Sequence, residues 1–314
     1  MDVTALGELL VDFTENGISE QGNVLFEANP GGAPCNLLAM LTKLGNQTAF
    51  IGKVGTDGLG KMLINRVSSL GIDTSCLFQD KLVPTTLAFV HTAADGERDF
   101  SFYRNPGADM MLTCDEVSVE LIRNSKIFHF GTISMTHEEI RNATRKAVEI
   151  AQTFHVIISF DPNIREPLWN DLGVAKEQVS YGLSVCDILK ISEDELTWYT
   201  NEEDCTKAVE IVRRKYNIPL ILVSMGKKGS RAYFENKMVE VPAVLCDSTI
   251  DTTGAGDTFY ACVLDYVLKH GLENFSIEEL RIVLQFANTA AAIITTRRGA
   301  LCVMPSREEI INYK

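Results

Sequence analysis

Ile250-Asp251-Thr252-Thr253-Gly254-Ala255-Gly256-Asp257-Thr258-Phe259 decides how the rest of the chain is read. It closes a β-like stretch and opens a helix, because Phe259, Cys262, Val263, Tyr266 and Val267 repeat on one helical face and Gly271 ends the run. Gly254, Ala255 and Gly256 carry the smallest side chains available, so backbone N–H groups there can face outward without steric cover. At a helix N-terminus such groups form an anion site, suited to charge developing on a transferring phosphoryl group. Asp257 falls in the first turn beside that site. A carboxylate in a first turn interacts favourably with the helix dipole whatever its function. Beside an anion hole it would repel phosphate unless it had a proton to accept, and that conjunction favours a general base.

Outward from this segment, Val3–Phe13, Thr48–Val54, Ile127–Gly131, Val156–Phe160, Ile188–Ile191 and Leu220–Val223 are short apolar runs bounded by Gly, Pro or Asp. They read as buried parallel strands. Helical patterns lie between them, as in Gly58–Leu70, Thr136–Phe154 and Ala208–Tyr216. Repeated βα units predict an α/β fold, a mainly parallel sheet with helices on both faces. Glu15–Phe26 and Pro84–Tyr103 break the rhythm, alternating apolar and polar residues around Glu-Asn-Gly and Ala-Asp-Gly turns. Thr86–His91 and Arg98–Tyr103, joined across Asp95-Gly96, read as an antiparallel hairpin. A small β lid built from roughly 13–30 and 82–104, on a single domain spanning 1–314, is one reading. An edge hairpin of the main sheet is the other, and pattern alone does not choose.

At 314 residues and 23% charged residues, the chain has the length for one large α/β domain or two ordinary ones and the composition of an ordered globular protein. Asp plus Glu outnumber Lys plus Arg by 42 to 29, a net charge of −13, so nucleic acid and anionic membranes are poor partners. A polyphosphate ligand is still allowed where backbone N–H groups and local cations supply the site. Eight scattered cysteines without a CxxC pair predict reduced, buried thiols. No apolar run approaches 18 residues and the N-terminus lacks a basic leader, which predicts a soluble cytoplasmic protein.

A second segment, Asn29-Pro-Gly31-Gly32-Ala33-Pro34-Cys35-Asn36, enters another helix. Pro34 suits a first turn, the diglycine lets backbone approach a ligand, and Asn36 offers a donor and an acceptor. Alone it also reads as a glycine-rich helix entry with Asn36 in solvent. Asp12 closes the first predicted strand, where open α/β sheets place ligand groups, and Arg104 and Arg165 each follow a strand-like run. Two glycine patterns mislead. Gly254-x-Gly256 lacks the third glycine of a dinucleotide fingerprint. Gly55-Thr-Asp-Gly-Leu-Gly60-Lys61-Met62 matches a P-loop except that Met62 stands where a Mg²⁺-binding hydroxyl is required, so it reads as a strand-to-helix turn.

Gly31-Gly32-x3-Asn36 and Asp251-Thr-Thr-Gly-Ala-Gly-Asp257-Thr-Phe together resemble the two signatures of the ribokinase-like (PfkB) carbohydrate kinases, over essentially the whole chain. Gly7-Glu-Leu-Leu-Val-Asp12-Phe, Tyr103-Arg104-x2-Gly107-Ala-Asp109, Asp161-Pro-Asn-x-Arg165-x2-Leu-Trp169 and Lys190-x-Ser192-Glu-Asp-Glu195-Leu look most like the bacterial fructokinase branch. The resemblance implies a ribokinase-like fold and an ATP-dependent sugar kinase, with D-fructose the leading acceptor. By motif match it implies Asp257 as base and Gly254, Ala255 and Gly256 as anion hole. It implies Asp12, Gly31, Gly32 and Asn36 as sugar ligands, with Arg104 and Arg165 completing the pocket. Nucleotide contacts map to Lys190, Ser192, Ser224, Gly226, Gly229 and Asn288. Asp251 and Thr253 match ligands of a monovalent cation, usually K⁺. Mg²⁺ accompanies the nucleotide, with Glu195 holding it indirectly although Ser192 replaces the usual Asn. Pairing of two copies through their lids is implied as well. The alternatives are 2-keto-3-deoxygluconate kinase, another sugar or nucleoside kinase, and a catalytically silent sugar sensor.

Overall fold

The structure, a computed structural model, describes residues 1–92, 98–246 and 248–313. In chain order its strands are β1 (Val3–Leu6), β2 (Leu10–Ile18), β3 (Val24–Gly31), β4 (Thr48–Gly55), β5 (Asp73–Asp80), β6 (Leu87–Thr92), β7 (Arg98–Tyr103), β8 (Ile127–Gly131), β9 (Ile157–Asp161), β10 (Ile188–Ser192), β11 (Leu220–Ser224), β12 (Ser230–Phe234) and β13 (Lys237–Val241). Nine form one sheet in the order β13-β12-β11-β10-β9-β8-β1-β4-β5, and β3-β2-β6-β7 form a second. From β5 to β11 the large sheet is parallel, and β12 and β13 are antiparallel additions at its edge.

Apart from the edge strand β5, the parallel strands are buried along nearly their whole length, as strands covered on both faces must be. Two apolar clusters account for the two faces. One joins β1 and β4 to helices Ala33–Lys43, Gly58–Ser69, Ala255–His270 and Ile277–Ile294. The other packs helices Glu138–Thr153, Leu172–Val185 and Cys205–Lys215 on the opposite side. Since β1 lies between β8 and β4, the chain leaves it in both lateral directions, and such a switch point opens a crevice beyond the carboxyl ends of the strands.

Two expectations change. Val3–Phe13 is not one strand: β1 stops at Leu6 and β2 starts at Leu10 in the other sheet. Both sides of the corner are apolar, so hydropathy carries no mark of it. The cysteines also divide, with Cys35, Cys186, Cys205 and Cys262 buried but Cys114 and Cys302 exposed. The hairpin β6/β7 forms with Leu87 opposite Tyr103 and belongs to the separate four-stranded sheet, not to an edge of the large one. Its expected Asp95-Gly96 turn lies outside the described residues. Gly55–Lys61 is a strand-to-helix turn whose helix is capped by Asp57, which accepts from the Gly60 N–H at 2.8 Å. Among the described residues no helix is long and apolar enough to cross a membrane.

Candidate active site

Helix Ala255–His270 begins on Gly254, whose φ of 78° is left-handed backbone that side chains with a Cβ adopt poorly. That turn aims the helix N-terminus at the crevice. It also forms the seam between two cavities, since Thr252 and Gly256 line both. The first cavity, about 440 Å³, takes Glu8, Leu10, Asp12, Gly32, Asn36, Phe102, Ile133, Asn163, Arg165, Lys190, Ser192, Glu195, Thr253, Gly254 and Asp257 into its wall. The second, about 510 Å³, is lined by Ser224, Gly226, Gly229, Ala243, Val244, Leu245, Ala255, Phe259, Asn288 and Ala292 among others.

In the first cavity Asp257 Oδ2 accepts from Asn36 Nδ2 at 2.8 Å, joining two segments 221 residues apart in sequence. Burial pushes the Asp257 carboxyl above its ordinary value, opposed by the Asn36 hydrogen bond and by the Lys190 and Arg165 charges. The Asn36 Oδ1 is buried without a partner among the described residues. It is an acceptor aimed at nothing, as a ligand-binding amide would be. Asp12 stands on β2, and a Cβ on Gly31 would fall 2.1 Å from its Oδ2, so Gly31 acts by making room for that carboxylate. Lys190 Nζ donates to Asp161 Oδ2 at 2.9 Å, both side chains being buried. Burial would lower the Lys190 ammonium, but Asp161, Glu195 and Asp257 hold it above its ordinary value.

The residues 2–307 match the family described as pfkB family carbohydrate kinase. The chain is 39% identical to probable fructokinase-2 of Arabidopsis thaliana over 313 residues, 99% of this chain and 95% of the relative. It is 38% identical to fructokinase-1 of Zea mays over 98% of this chain and 96% of that protein. The ATP-bound fructokinase of Xylella fastidiosa superposes with a TM-score of 0.90 at 30% identity, covering 99% and 97% of the two chains. The chain belongs to the pfkB carbohydrate kinase family. It is an ATP-dependent carbohydrate kinase with the ribokinase-like fold.

Within this kinase the two signatures meet at the cavity seam, but the arginines separate. Arg165 lines the first cavity and donates only to the Ile164 carbonyl at 3.0 Å among the described residues. Arg104 stands behind the wall. Its guanidinium donates to Asp109 Oδ2 at 2.8 Å, Thr136 Oγ1 at 2.7 Å and the Ile133 carbonyl at 3.1 Å, and it is not among the lining side chains. Lys190 and Ser192 likewise open on the first cavity rather than the second. Ser224, Gly226, Gly229 and Asn288 do line the second cavity. The Asn288 amide is committed there, accepting from Ser230 Oγ and donating to the Val241 and Pro242 carbonyls.

Glu8 escaped the sequence reading. It follows β1, lines the first cavity and accepts from the Ala33 N–H at 2.9 Å, tying the strand end to the helix of the Gly31–Asn36 signature. Burial pushes its carboxyl up to about 7 against the hydrogen bonds from its own and the Ala33 N–H. An acidic residue between two apolar runs was the available signal, and it is too common to stand out.

The cation sites can be tested on their donors. Glu195 Oε2 accepts from both the Ser192 N–H and Oγ, while among the described residues Oε1 accepts only the Ile164 N–H. One carboxylate oxygen thus keeps a lone pair for a metal-bound water, which fits an indirect hold on Mg²⁺ and no direct one. Asp251 is buried, accepts from the Thr253 N–H at 2.7 Å, and brings hard oxygen donors to the turn before Gly254, which fits a monovalent cation.

Proposed function

We propose that this kinase transfers the γ-phosphoryl group of ATP to D-fructose, giving fructose 6-phosphate, with Asp257 as general base. The observation that carries the reading is the Asp257–Asn36 pair at the seam where a polar cavity meets a more apolar one. The nucleotide lies in the second cavity, past Ser224, Gly226, Gly229 and Asn288, with its γ-phosphate at Gly254, Ala255 and Gly256. The sugar lies in the first, held by Asp12, Asn36, Gly32 and Arg165, while Arg104 braces the Ile133 wall and Gly31 admits Asp12. The loose transition state of phosphoryl transfer asks for positioning and charge stabilisation more than covalent chemistry. Asp257 takes the hydroxyl proton late, as bonding to phosphorus develops. Glu195 would hold Mg²⁺ through water, and the ion would supply positive charge to the nucleotide phosphates. Asp251 and Thr253 would hold a monovalent cation such as K⁺, which would supply fixed positive charge to the anion hole.

Among the described residues, four carboxyl groups, Glu8, Asp12, Glu195 and Asp257, share the first cavity with only Arg165 and Lys190. A neutral polyol suits that balance better than the acidic sugar of a ketodeoxygluconate kinase. The small sheet closes over the sugar as a lid, because Asp12 and Phe102 come from it while the anion hole belongs to the large-sheet body. Closure excludes water that would otherwise accept the phosphoryl group. Fructose should therefore slow hydrogen exchange in β2, β3, β6 and β7 together; unchanged exchange at saturating sugar refutes the lid. The opposite face of that sheet exposes Ile18, Val24, Phe26 and Tyr103, and a homodimer would cover it. ATP supply and buried free thiols suit the cytoplasm as the place of action.

The deciding measurement is coupled ADP release with fructose, ribose, ketodeoxygluconate, tagatose 6-phosphate and adenosine. Fructose should give the highest kcat/KM. A higher value for ketodeoxygluconate overturns the sugar and leaves the kinase, whereas silence with every acceptor would mark a sugar sensor.

A further inference from the structure

Lys190 sits on a central strand of the large sheet, flanked in sequence by fully buried Leu189 and Ile191. Its Nζ lies so close under the anion-hole turn that a Cβ on Gly256 would be 3.1 Å away. An ammonium has three donors. Among the described residues Lys190 makes a single hydrogen bond, to Asp161 Oδ2 at 2.9 Å, so two N–H groups remain for a ligand at the seam. Asp161 ends the neighbouring strand, is only 3% exposed, and does not line either cavity. Among the described residues its buried Oδ1 has no partner, a state that costs stability and calls for an explanation.

We propose that Asp161 is a positioning residue for phosphoryl transfer: it holds the Lys190 ammonium, charged and aimed, at the Gly254–Gly256 turn, where that ammonium meets the negative charge of the transferring group. The proposal rests on the phosphoryl-transfer reading above. A buried lysine without a counter-charge sheds its proton to escape the desolvation cost. Of the three carboxylates that hold the Lys190 proton, Asp161 is the one bonded to it, and it sits too deep to repel phosphate at contact. Because the lysine stands on a strand packed from both faces, its reach is set before the nucleotide arrives, which is what makes such a charge effective in the transition state. The competing account makes the pair a strut between adjacent strands.

The test compares Asp161→Asn, Lys190→Gln and the double variant in the ADP-release assay. Lys190→Gln should lower kcat by about 10²–10³-fold, the usual loss for one preorganised charge donor. Asp161→Asn should lower kcat by roughly 10²-fold with KM for fructose within about threefold, since it acts through Lys190 and not on the sugar. The double variant should be no more than about threefold slower than Lys190→Gln, because residues acting as a unit are not additive. A double-variant loss equal to the product of the single losses overturns the proposal, as does an Asp161→Asn enzyme that melts earlier but keeps kcat within threefold. Should Asp161→Asn fail to fold, the double variant decides by itself, since it buries no uncompensated charge: the proposal requires ADP affinity near wild type with the full Lys190→Gln loss in kcat. A wild type that prefers another acceptor carries the same comparison on that acceptor, and the failure is then of the sugar assignment alone.

Discussion

Replacing Glu8 with Gln isolates one buried ionisation at the strand end where the cavity opens. In the folded protein burial raises this carboxyl from 4.5 to about 7, so between those values the native state holds a proton that the unfolded chain has lost. Stability then falls as pH rises through that interval, because the native state binds more protons than the unfolded one. The gap between 4.5 and about 7 corresponds to about 3 kcal/mol above pH 7, and to about 1 kcal/mol at pH 5. Gln does not titrate, and its carbonyl can still accept from the Ala33 N–H that Glu8 Oε1 holds. The difference in stability between Glu8→Gln and wild type should therefore grow in the variant's favour by roughly 2–3 kcal/mol from pH 5 to pH 8. For a chain of this length the unfolding entropy turns that into a relative gain of about 4 °C in Tm. Differential scanning fluorimetry at both pH values, without ligands, reads it directly. Any fixed packing cost of the swap cancels in the comparison between pH values. A Tm difference that stays constant within about 1 °C would show that Glu8 ionises normally, and the reasoning from its burial would be wrong.

Asp257→Asn should keep the fold and the binding of ATP and fructose by calorimetry while kcat drops by about 10²–10⁴-fold; near-wild-type turnover refutes the base. Gly256→Val places side-chain atoms toward Lys190 and into the anion hole, so kcat should collapse with little change in Tm; normal turnover would reduce the loop to a tight turn. Arg165→Lys keeps the charge and loses the planar fork, which should raise KM for fructose by roughly tenfold, on the order of 1.4 kcal/mol. An unchanged KM in steady-state kinetics would remove Arg165 from the sugar.

Much of this molecule was legible in order along the chain. The Gly254–Asp257 turn announced itself through local rules alone: small residues, a helical period after them, and a carboxylate in the first turn. The alternation of apolar runs with helical patterns likewise implied the parallel sheet, because burial on both faces leaves a continuous apolar strand. What periodicity could not see was direction in space. The corner between β1 and β2 has apolar residues on both sides, and the two strands enter different sheets only because of what each later pairs with, β4 and β8 for one, β3 and β6 for the other.

The same limit governs the site. The sequence makes Arg104 and Arg165 equivalent, each an arginine after a strand-like run. Tertiary structure separates them: Asp109, Thr136 and the Ile133 carbonyl engage one guanidinium behind the wall, while the other keeps most of its donors for the cavity. Glu8 and Asp161 became visible only through burial and partners brought from 25 and 29 residues away. Local chemistry determines which backbone can turn and which side chain can ionise. Which of those side chains meet, and in how little water, is decided by strand order, since a charge gains its strength from neighbours that sequence distance does not specify.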